Sequence, residues 1–331
     1  MSVAPPDFVY RACGLTLASD APIPGLHQVT ADVPADVSIS IRGTHAQHVW
    51  TGGSRWYVSS SVDASGKPDV LIEANDEGYR VTYCDDTTLV IDRAGRHVIV
   101  QWASALANAD AASYLTSYVL AFVLRLRGSV PLHASAVAID GRALLFVGDS
   151  WAGKSSTAAA FAVLGYPMLS DDVVRIDATD GGLMVYPSHS RLKVWRDSAT
   201  ALFRSGGAPL ESDPSGKHYL DLDDAGFAFT RAPVPLEAIY VLGERTAYDA
   251  PAIGLLPTRL ALMTLVGHTY GSAFLDRSMR AREFDVLCRL VEEVPVRELK
   301  FSDDLGALVS SCRVLAGDGR LAGPKEPALL A

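Results

Sequence analysis

The sequence predicts an α/β protein with a β-rich N-terminal region, followed by a core that contains a strand, a glycine-rich loop and a helix. Two observations support this fold class. Residues 1–110 contain short runs in which apolar and polar residues alternate with period two, as in half-buried strands. Further along, the apolar run RALLFVG leads into GDSWAGKSS, and an alanine-rich helical pattern follows it.

The N-terminal runs are separated by Gly, Asp and Pro, which favour turns. They read DVSISIRG, RWYVSSSV, DVLIEA, GYRVTYC, TTLVID and HVIVQW. We therefore expect an antiparallel sheet of six or more strands in a first region, residues 1–110. His45 and His48 form an HxxH pair there, but no acidic residue stands close by, so we assign them to a surface loop.

The segment 110–127 predicts a buried helix, with Asp110 as a candidate cap and Gly128 directly after it. It is too short and too charged at its end to span a bilayer. We assign residues 111–318 to a second, catalytic domain and residues 319–331, rich in Gly, Pro and Ala, to a flexible tail. Asp140 and Gly141 separate two apolar alternating runs, which predicts a hairpin.

The segment GDSWAGKSS, residues 148–156, fits the phosphate-binding pattern GxxxxGK[ST] without exception. Its glycines let backbone N–H groups converge on an anion, and the following helix adds its positive N-terminal end. We expect Lys154 to reach the β- and γ-phosphates of ATP, and the Ser155 hydroxyl to hold Mg²⁺. The predicted nucleotide-binding residues are Gly148, Asp149, Ser150, Trp151, Ala152, Gly153, Lys154, Ser155 and Ser156.

Trp151 occupies a position where such loops usually carry a small residue. Three interpretations remain open from the sequence. The indole ring packs beside the nucleotide or the acceptor, or it faces outward from the loop, or it strains the loop and weakens binding.

Two adjacent carboxylates follow in the run YPMLSDDVVRID. A helix that starts at Lys154 and a parallel strand Tyr166–Ser170 bring Asp171 and Asp172 back to the sheet edge beside the loop. One carboxylate would bind Mg²⁺ and the other would accept a proton from an attacking hydroxyl. His133 lies on the strand before the hairpin, where it could hydrogen-bond one of these carboxylates.

Taken together, LHASAV, GDSWAGKSS and LSDD resemble the catalytic domain of bacterial HPr kinase/phosphorylase, whose core is shared with ATP-type phosphoenolpyruvate carboxykinases. His133 stands 21 residues before Lys154, and Asp171 stands 17 residues after it, as in that family. The resemblance implies that Asp171 is the general base assisted by His133, and that Asp172 and Ser155 hold Mg²⁺. The family loop usually reads GDSG, so Trp151 is a departure.

The opening FVYRACGLTLASDAPIPGL and the segment RLRGSVPLHASAVAIDG resemble a divergent HPr-kinase-like group that includes kinases encoded with lasso-peptide biosynthesis genes. These kinases phosphorylate a serine of a precursor peptide. The expected activity is therefore transfer of the γ-phosphate of ATP to a serine of a peptide or small protein. The resemblance also allows a homo-oligomer. Alternatives are an HPr kinase/phosphorylase that acts on a phosphocarrier protein, a nucleotide-binding regulator without transfer activity, and a small-molecule kinase.

The C-terminal third offers cations for the same site. YPSHSRLKVWRDS places Arg191 first after a turn signal, and we select it to stabilise the transferring charge. A solvated basic strand is the competing interpretation. Lys217 lies in a Gly/Pro/Ser-rich segment that predicts an exposed loop.

Composition excludes several classes of function. A formal net charge of -9 argues against a general nucleic-acid surface. The four cysteines lie far apart without metal-ligand spacing, which favours reduced thiols. The first residues lack the pattern of a signal peptide. We therefore expect a cytoplasmic protein with neither nucleic-acid nor membrane partners.

Overall fold

A computed structural model describes residues 8–30, 33–42, 50–101, 112–203, 211–212, 217–246, 250–272, 275–302 and 304–317. Within it, the chain forms two compact units. The first comprises Met1–Pro131 and Tyr270–Arg282, and the second comprises Leu132–Thr269 and Glu283–Ala331. The predicted domain boundary at residue 110, the Asp110 cap, the His45/His48 pair and the tail 319–331 all lie outside the described residues.

The first unit contains an eight-stranded sheet of order β1-β2-β3-β8-β7-β6-β5-β4. Its strands are β1 (Phe8–Ala12), β2 (Leu15–Ser19), β3 (Val37–Arg42), β4 (Ser54–Val58), β5 (Val70–Ala74), β6 (Gly78–Tyr83), β7 (Thr88–Asp92) and β8 (His97–Gln101). The prediction of a sheet with six or more strands is confirmed. Its expected antiparallel pairing is wrong for two ladders, because β3 pairs in parallel with both β2 and β8.

A buried helix packs in this first unit. A π-helical turn, Leu115–Val119, leads into α1 (Leu120–Leu126), and Gly128 follows with φ of 91°. Almost every side chain of α1 is buried, as the apolar pattern predicts. Arg125 is among them, and its guanidinium donates two hydrogen bonds to the Tyr270 carbonyl at 3.0 and 2.9 Å.

The second unit contains a seven-stranded sheet of order β10-β9-β11-β12-β16-β18-β17. The strands are β9 (Leu132–Ile139), β10 (Arg142–Val147), β11 (Met168–Thr179), β12 (Gly182–Tyr186), β16 (Val234–Leu242), β17 (Ala252–Leu255) and β18 (Val296–Lys300). The predicted hairpin at Asp140 and Gly141 is confirmed, and both residues have positive φ. Since β16 pairs with β10 as well as with β12, the ladder closes on itself.

A smaller sheet and five helices complete the second unit. The small sheet has the order β13-β15-β14, with β13 (Arg191–Trp195), β14 (Glu211–Ser212) and β15 (Lys217–Asp221). The helices are α2 (Lys154–Val163), α3 (Arg196–Leu202), α4 (Thr258–Gly267), α5 (Arg277–Glu293), whose first turns belong to the first unit, and α6 (Leu305–Gly317). Phe146, Phe161 and Tyr240 are fully buried and stack in its core.

The architecture is thus mixed α/β, as the sequence predicts. Lys217 begins β15 and does not lie in an exposed loop, because its strand pairs with β13. In the described part of the chain, no helix combines the length and the apolarity needed to cross a bilayer.

Candidate functional site

The glycine-rich loop joins β10 to α2 in the order that the motif requires. β10 ends at Val147, and α2 begins at Lys154. Gly153, at the helix N-cap, has φ of 100°, a conformation that L side chains rarely adopt. A Cβ at this position would also overlap the Arg245 guanidinium. The positive φ explains why glycine is needed here, whereas the end of the Arg245 side chain could move aside.

Lys154 is folded back over this loop. Its side chain is buried, and Nζ donates to the carbonyls of Gly148 at 2.8 Å and Asp149 at 3.2 Å. Burial lowers the pKa of Lys154, while the nearby carboxylates of Asp171 and Asp172 act in the opposite direction. A buried ammonium held inside a ring of loop carbonyls is a suitable partner for a phosphate oxygen.

Trp151 combines two of the three interpretations. Its side chain is 73% exposed, and it stacks on Trp195 of β13, with ring centroids 3.9 Å apart and planes 11° apart. Its φ is 72°, which a bulky residue adopts only with strain. A glycine at this position would have no such cost. Contact of the indole with a nucleotide stays a prediction.

Asp171 lies at the centre of a buried hydrogen-bond cluster. Its Oδ1 accepts from the hydroxyls of Ser135 at 2.7 Å and Ser155 at 2.8 Å, and its Oδ2 accepts from the Lys193 backbone N–H at 3.1 Å. Burial raises the pKa of Asp171, and the three donors partly offset this. The bond to Ser155 joins the carboxylate directly to the first turn of α2.

Asp172 faces a different partner. Its Oδ1 lies 3.0 Å from His133 Nδ1, and both side chains are about one-third exposed. The expected assistance of Asp171 by His133 stays a prediction, and the contact that the structure shows for His133 is with Asp172. The Ser155 hydroxyl contacts Asp171. A regular pleat would put His133 and Ser135 on the same face as Asp171, but the positive φ of Asp172 interrupts the alternation at this point of the strand.

The strand that carries this pair is longer than predicted. We expected it to end at Ser170, but β11 runs from Met168 to Thr179, so both carboxylates lie inside it. The register against β9 shifts between Met168 and Ser170, and Asp172 has φ of 87°. The Ser170 hydroxyl donates to the Val173 carbonyl across this irregularity, at 2.6 Å. The expectation that the pair lies beside the loop is nevertheless met, through the Ser155 contact.

The remaining residues predicted to bind nucleotide or phosphate differ in their exposure to solvent. Asp149 and Ser150 are exposed, and Ala152 is partly buried. The Ser156 hydroxyl lies 2.8 Å from the Ser198 hydroxyl inside the protein, so only its backbone N–H remains for an anion. Arg191 lies over the Tyr219 ring at 4.0 Å, and its predicted contact with phosphate stays a prediction.

Sequence reasoning missed three residues of the site. Ser135 binds Asp171 as described above. Arg245 donates to the Ala152 carbonyl at 3.1 Å and to the Ser302 carbonyl at 3.3 Å, which fixes the loop from the side. His268 accepts the His133 backbone N–H on its carbonyl at 2.8 Å.

The His268 ring also belongs to the electrostatic environment of the loop. Burial lowers its pKa, and Asp149, Lys154 and His133 are close enough to contribute. The only signal for Arg245 in the sequence is its place after β16, which runs parallel to β10 and ends at the same edge. His268 has no comparable signal, because α4 lies far from the loop along the chain.

The donor set fits a divalent cation. Ser155, Asp171 and Asp172 offer a hydroxyl and carboxylate oxygens, the hard ligands that Mg²⁺ prefers. Ser155 and Asp171 already share a hydrogen bond, so their oxygens lie within reach of one ion.

Comparisons with known proteins add little. No protein-family model matches the chain, and no curated protein matches it. One of the solved structures it resembles is the HPr(Ser) kinase/phosphatase from Coxiella burnetii, with a TM-score of 0.31 and 14% identity. The alignment covers 58% of this chain and 99% of that one. A superposition this loose assigns neither fold nor activity, so the functional argument depends on the site itself.

Proposed function

We propose that this chain is an ATP- and Mg²⁺-dependent kinase that transfers the γ-phosphate to a serine of a peptide acceptor. The observation that carries the proposal is the hydrogen bond between Ser155 and Asp171. This bond connects the end of the glycine-rich loop, whose pattern is typical of phosphate binding, with the buried Asp171 carboxylate 16 residues further along the chain. A second carboxylate, Asp172, stands beside it with its own histidine partner.

The loop and α2 supply the phosphate site. Backbone N–H groups at the start of α2 and the buried ammonium of Lys154 favour the β- and γ-phosphates. Arg245 holds the loop backbone at Ala152, so less reorganisation is needed when the nucleotide binds.

We assign Mg²⁺ to Ser155 and Asp171, and the general base to Asp172 with His133. This exchanges the roles of the two carboxylates that the resemblance implies. Asp171 shares a hydrogen bond with the loop hydroxyl, whereas Asp172 is the more accessible carboxylate and has the histidine. Bound Mg²⁺ supplies positive charge that offsets the charge of the phosphates.

In the transfer step, the acceptor serine Oγ attacks the γ-phosphorus, and its proton passes to the Asp172 carboxylate. The bond between the γ-phosphorus and the β,γ-bridging oxygen breaks, so ADP leaves with the electron pair. His133, 3.0 Å from Asp172, orients that carboxylate toward the incoming hydroxyl. Lys154 stays with the phosphates throughout.

We place a ribosomally made peptide precursor, of the lasso type, first among the acceptors. This choice depends on the resemblance of the N-terminal half, and transfer to a phosphocarrier protein is its main competitor. A regulator that binds nucleotide without transferring phosphate is the third reading. The experiment below separates the three.

The test is transfer from γ-labelled ATP with Mg²⁺ in an extract of the source organism, with Asp172→Asn, Asp171→Asn and Lys154→Ala as variants. We expect label on a short peptide with the wild type, and none with Lys154→Ala. Asp172→Asn should keep Mg²⁺-dependent ATP affinity and lose transfer, whereas Asp171→Asn should lose the Mg²⁺ dependence of binding.

Other outcomes redirect the proposal. If Asp171→Asn alone kept Mg²⁺-dependent affinity and lost transfer, Asp171 would be the base, as the resemblance implies. Label on a small carrier protein would favour the phosphocarrier reading. ATP binding with no label on any protein would leave the regulator.

A further inference from the structure

One face of the small sheet carries cations and aromatic rings beside the candidate site. Arg191, Lys193 and Trp195 alternate along β13 and are partly exposed. Leu192 and Val194, between them, are buried in the core at 0% and 1% exposure. One face of β13 is therefore basic, aromatic and partly exposed, and the apolar side chains of its other face pack in the core.

β15 continues this face through its register with β13. Arg191 lies opposite Asp221, Lys193 opposite Tyr219, and Trp195 opposite Lys217. We name as the basic–aromatic face the residues Arg191, Lys193, Trp195, Lys217, Tyr219 and Asp221. It carries three cations and one carboxylate, on a chain whose formal net charge is -9.

The cations lie along the rings. Arg191 and Lys193 lie over Tyr219, at 4.0 and 4.9 Å from the ring centroid, and Lys217 lies over Trp195 at 5.0 Å. Such contacts hold long side chains in place and leave the charge at the rim, where it attracts anions.

The face is continuous with the candidate site at two points. The Lys193 backbone N–H donates to Asp171 Oδ2 at 3.1 Å. Trp151 stacks on Trp195 and extends the aromatic surface onto the glycine-rich loop. A chain that lies on this face would therefore pass within reach of the loop and the two carboxylates.

We infer that the basic–aromatic face is where the acceptor docks, and that it selects a segment with Asp or Glu beside the target serine. Acidic side chains would pair with Lys193 and Lys217, and apolar groups would cover the exposed indole of Trp151. This inference rests on the proposed kinase activity, because the bound peptide is taken to be the phosphate acceptor. Binding of the peptide itself can be measured without phosphate transfer. Charge complementarity here gives specificity more than raw affinity.

The experiment uses three synthetic peptides that share one serine and differ only in its neighbours, which are Glu, Gln or Lys. The protein is the full chain, as wild type, Lys217→Glu and Arg142→Glu. Arg142 is the matched control, because it is 60% exposed and begins β10 at the end opposite the loop. Peptide binding is measured by calorimetry without ATP, and transfer by steady-state kinetics.

We expect the wild type to bind the Glu peptide about tenfold more tightly than the Gln peptide, with the Lys peptide weakest. Lys217→Glu should raise KM for the Glu peptide about tenfold and reverse the order, with little change in kcat. Arg142→Glu should behave as the wild type. Added salt should weaken binding of the Glu peptide.

The failure of this inference is distinguishable from failure of the kinase proposal. Tight, Lys217-dependent binding of the Glu peptide without any transfer would support the docking face and overturn the kinase. Equal binding and equal KM for all three peptides, with transfer intact, would overturn the docking face and leave the kinase standing.

Discussion

The two units bury charged side chains in different settings. In the eight-stranded sheet of the first unit, the buried residues are mainly apolar, and ionic pairs such as Arg80 with Glu73 remain partly exposed. The second unit buries Lys154 and Asp171 at 8% and 4% exposure, close to a strained tryptophan. The first unit also buries one cation, Arg125 at 2% exposure, whose guanidinium donates to a backbone carbonyl, whereas the second unit buries a cation and a carboxylate beside its glycine-rich loop.

That difference is informative because buried charge costs stability unless something else requires it. The pKa of Lys154 is lowered and that of Asp171 is raised, both chiefly by burial, so neither ionised form is favoured by its surroundings. Such departures cluster at functional sites. The comparison predicts that substitutions in the first unit will change stability, and that substitutions at the second unit's buried charges will change activity.

The largest expected effect is on stability, from Leu89→Ala in β7 of the first unit. Leu89 is fully buried, so the substitution should cost about 3 kcal/mol through lost burial and the cavity left behind. Denaturant unfolding measures this. Transfer per folded molecule should stay within about twofold. A large fall in kcat at full folding would break the proposed division between the units.

Next comes Lys154→Ala, which should lower transfer at least about 100-fold, or about 2.7 kcal/mol of transition-state stabilisation. Its buried ammonium is the group best placed for the phosphates. The control is Lys67→Ala in the first unit, where Lys67 pairs with the exposed Asp86. Full activity in Lys154→Ala, measured by γ-phosphate transfer, would remove the loop from the mechanism.

A smaller effect, opposite in sign to most mutations, is expected from Asp171→Asn. Burial raises the folded-state pKa of Asp171, so its contribution to stability is greatest below pH 3.8 and is lost as pH rises through the folded pKa. At neutral pH the amide should therefore raise Tm, because Asn carries no charge to bury and its Oδ1 can still accept from the two hydroxyls.

Melting curves of the wild type and Asp171→Asn between pH 4 and pH 8 measure this gain. It should shrink toward the acid end, where the wild-type carboxyl is protonated. A destabilised variant at neutral pH would mean that the three hydrogen bonds to Asp171 outweigh its burial.

The smallest expected effect is that of Trp151→Gly on stability. Glycine relieves a positive φ, worth about 1 kcal/mol, but removes a stacked ring pair worth about the same. The two should nearly cancel, whereas Trp195→Leu should only destabilise, because it loses the stacking and keeps the strain. Nucleotide affinity of Trp151→Gly should change more than its turnover. An unchanged Kd would mean that the indole does not influence the nucleotide.

Much of the site could be predicted because its signals are local in sequence. The loop pattern, the hairpin at Asp140–Gly141 and the return of the chain to Asp171 each depend on a few neighbouring residues. The rest could not be predicted, because it depends on long-range pairing. Arg245 donates to the Ala152 carbonyl from 93 residues away along the chain. Lys193 donates to Asp171 through its backbone N–H, a group that almost every residue type has, so the sequence gives no sign of it.

The assignment of partners to the two carboxylates shows the same limit. Spacing places the pair beside the loop, but the partner of each carboxylate depends on the local backbone of this strand, with its register shift before Ser170 and the positive φ of Asp172. Similarly, the composition of residues 270–282 gives no sign that they cluster with the N-terminal sheet.

The stacking of Trp151 on Trp195 has one further consequence. Two indoles 3.9 Å apart and nearly parallel are coupled chromophores, and one of them lies in the loop between β10 and α2. Any rearrangement of that connection which separates the rings would change the near-ultraviolet circular dichroism of the protein. The molecule thus carries a built-in optical reporter of its own loop, which needs no label and can be read in solution as a ligand is added.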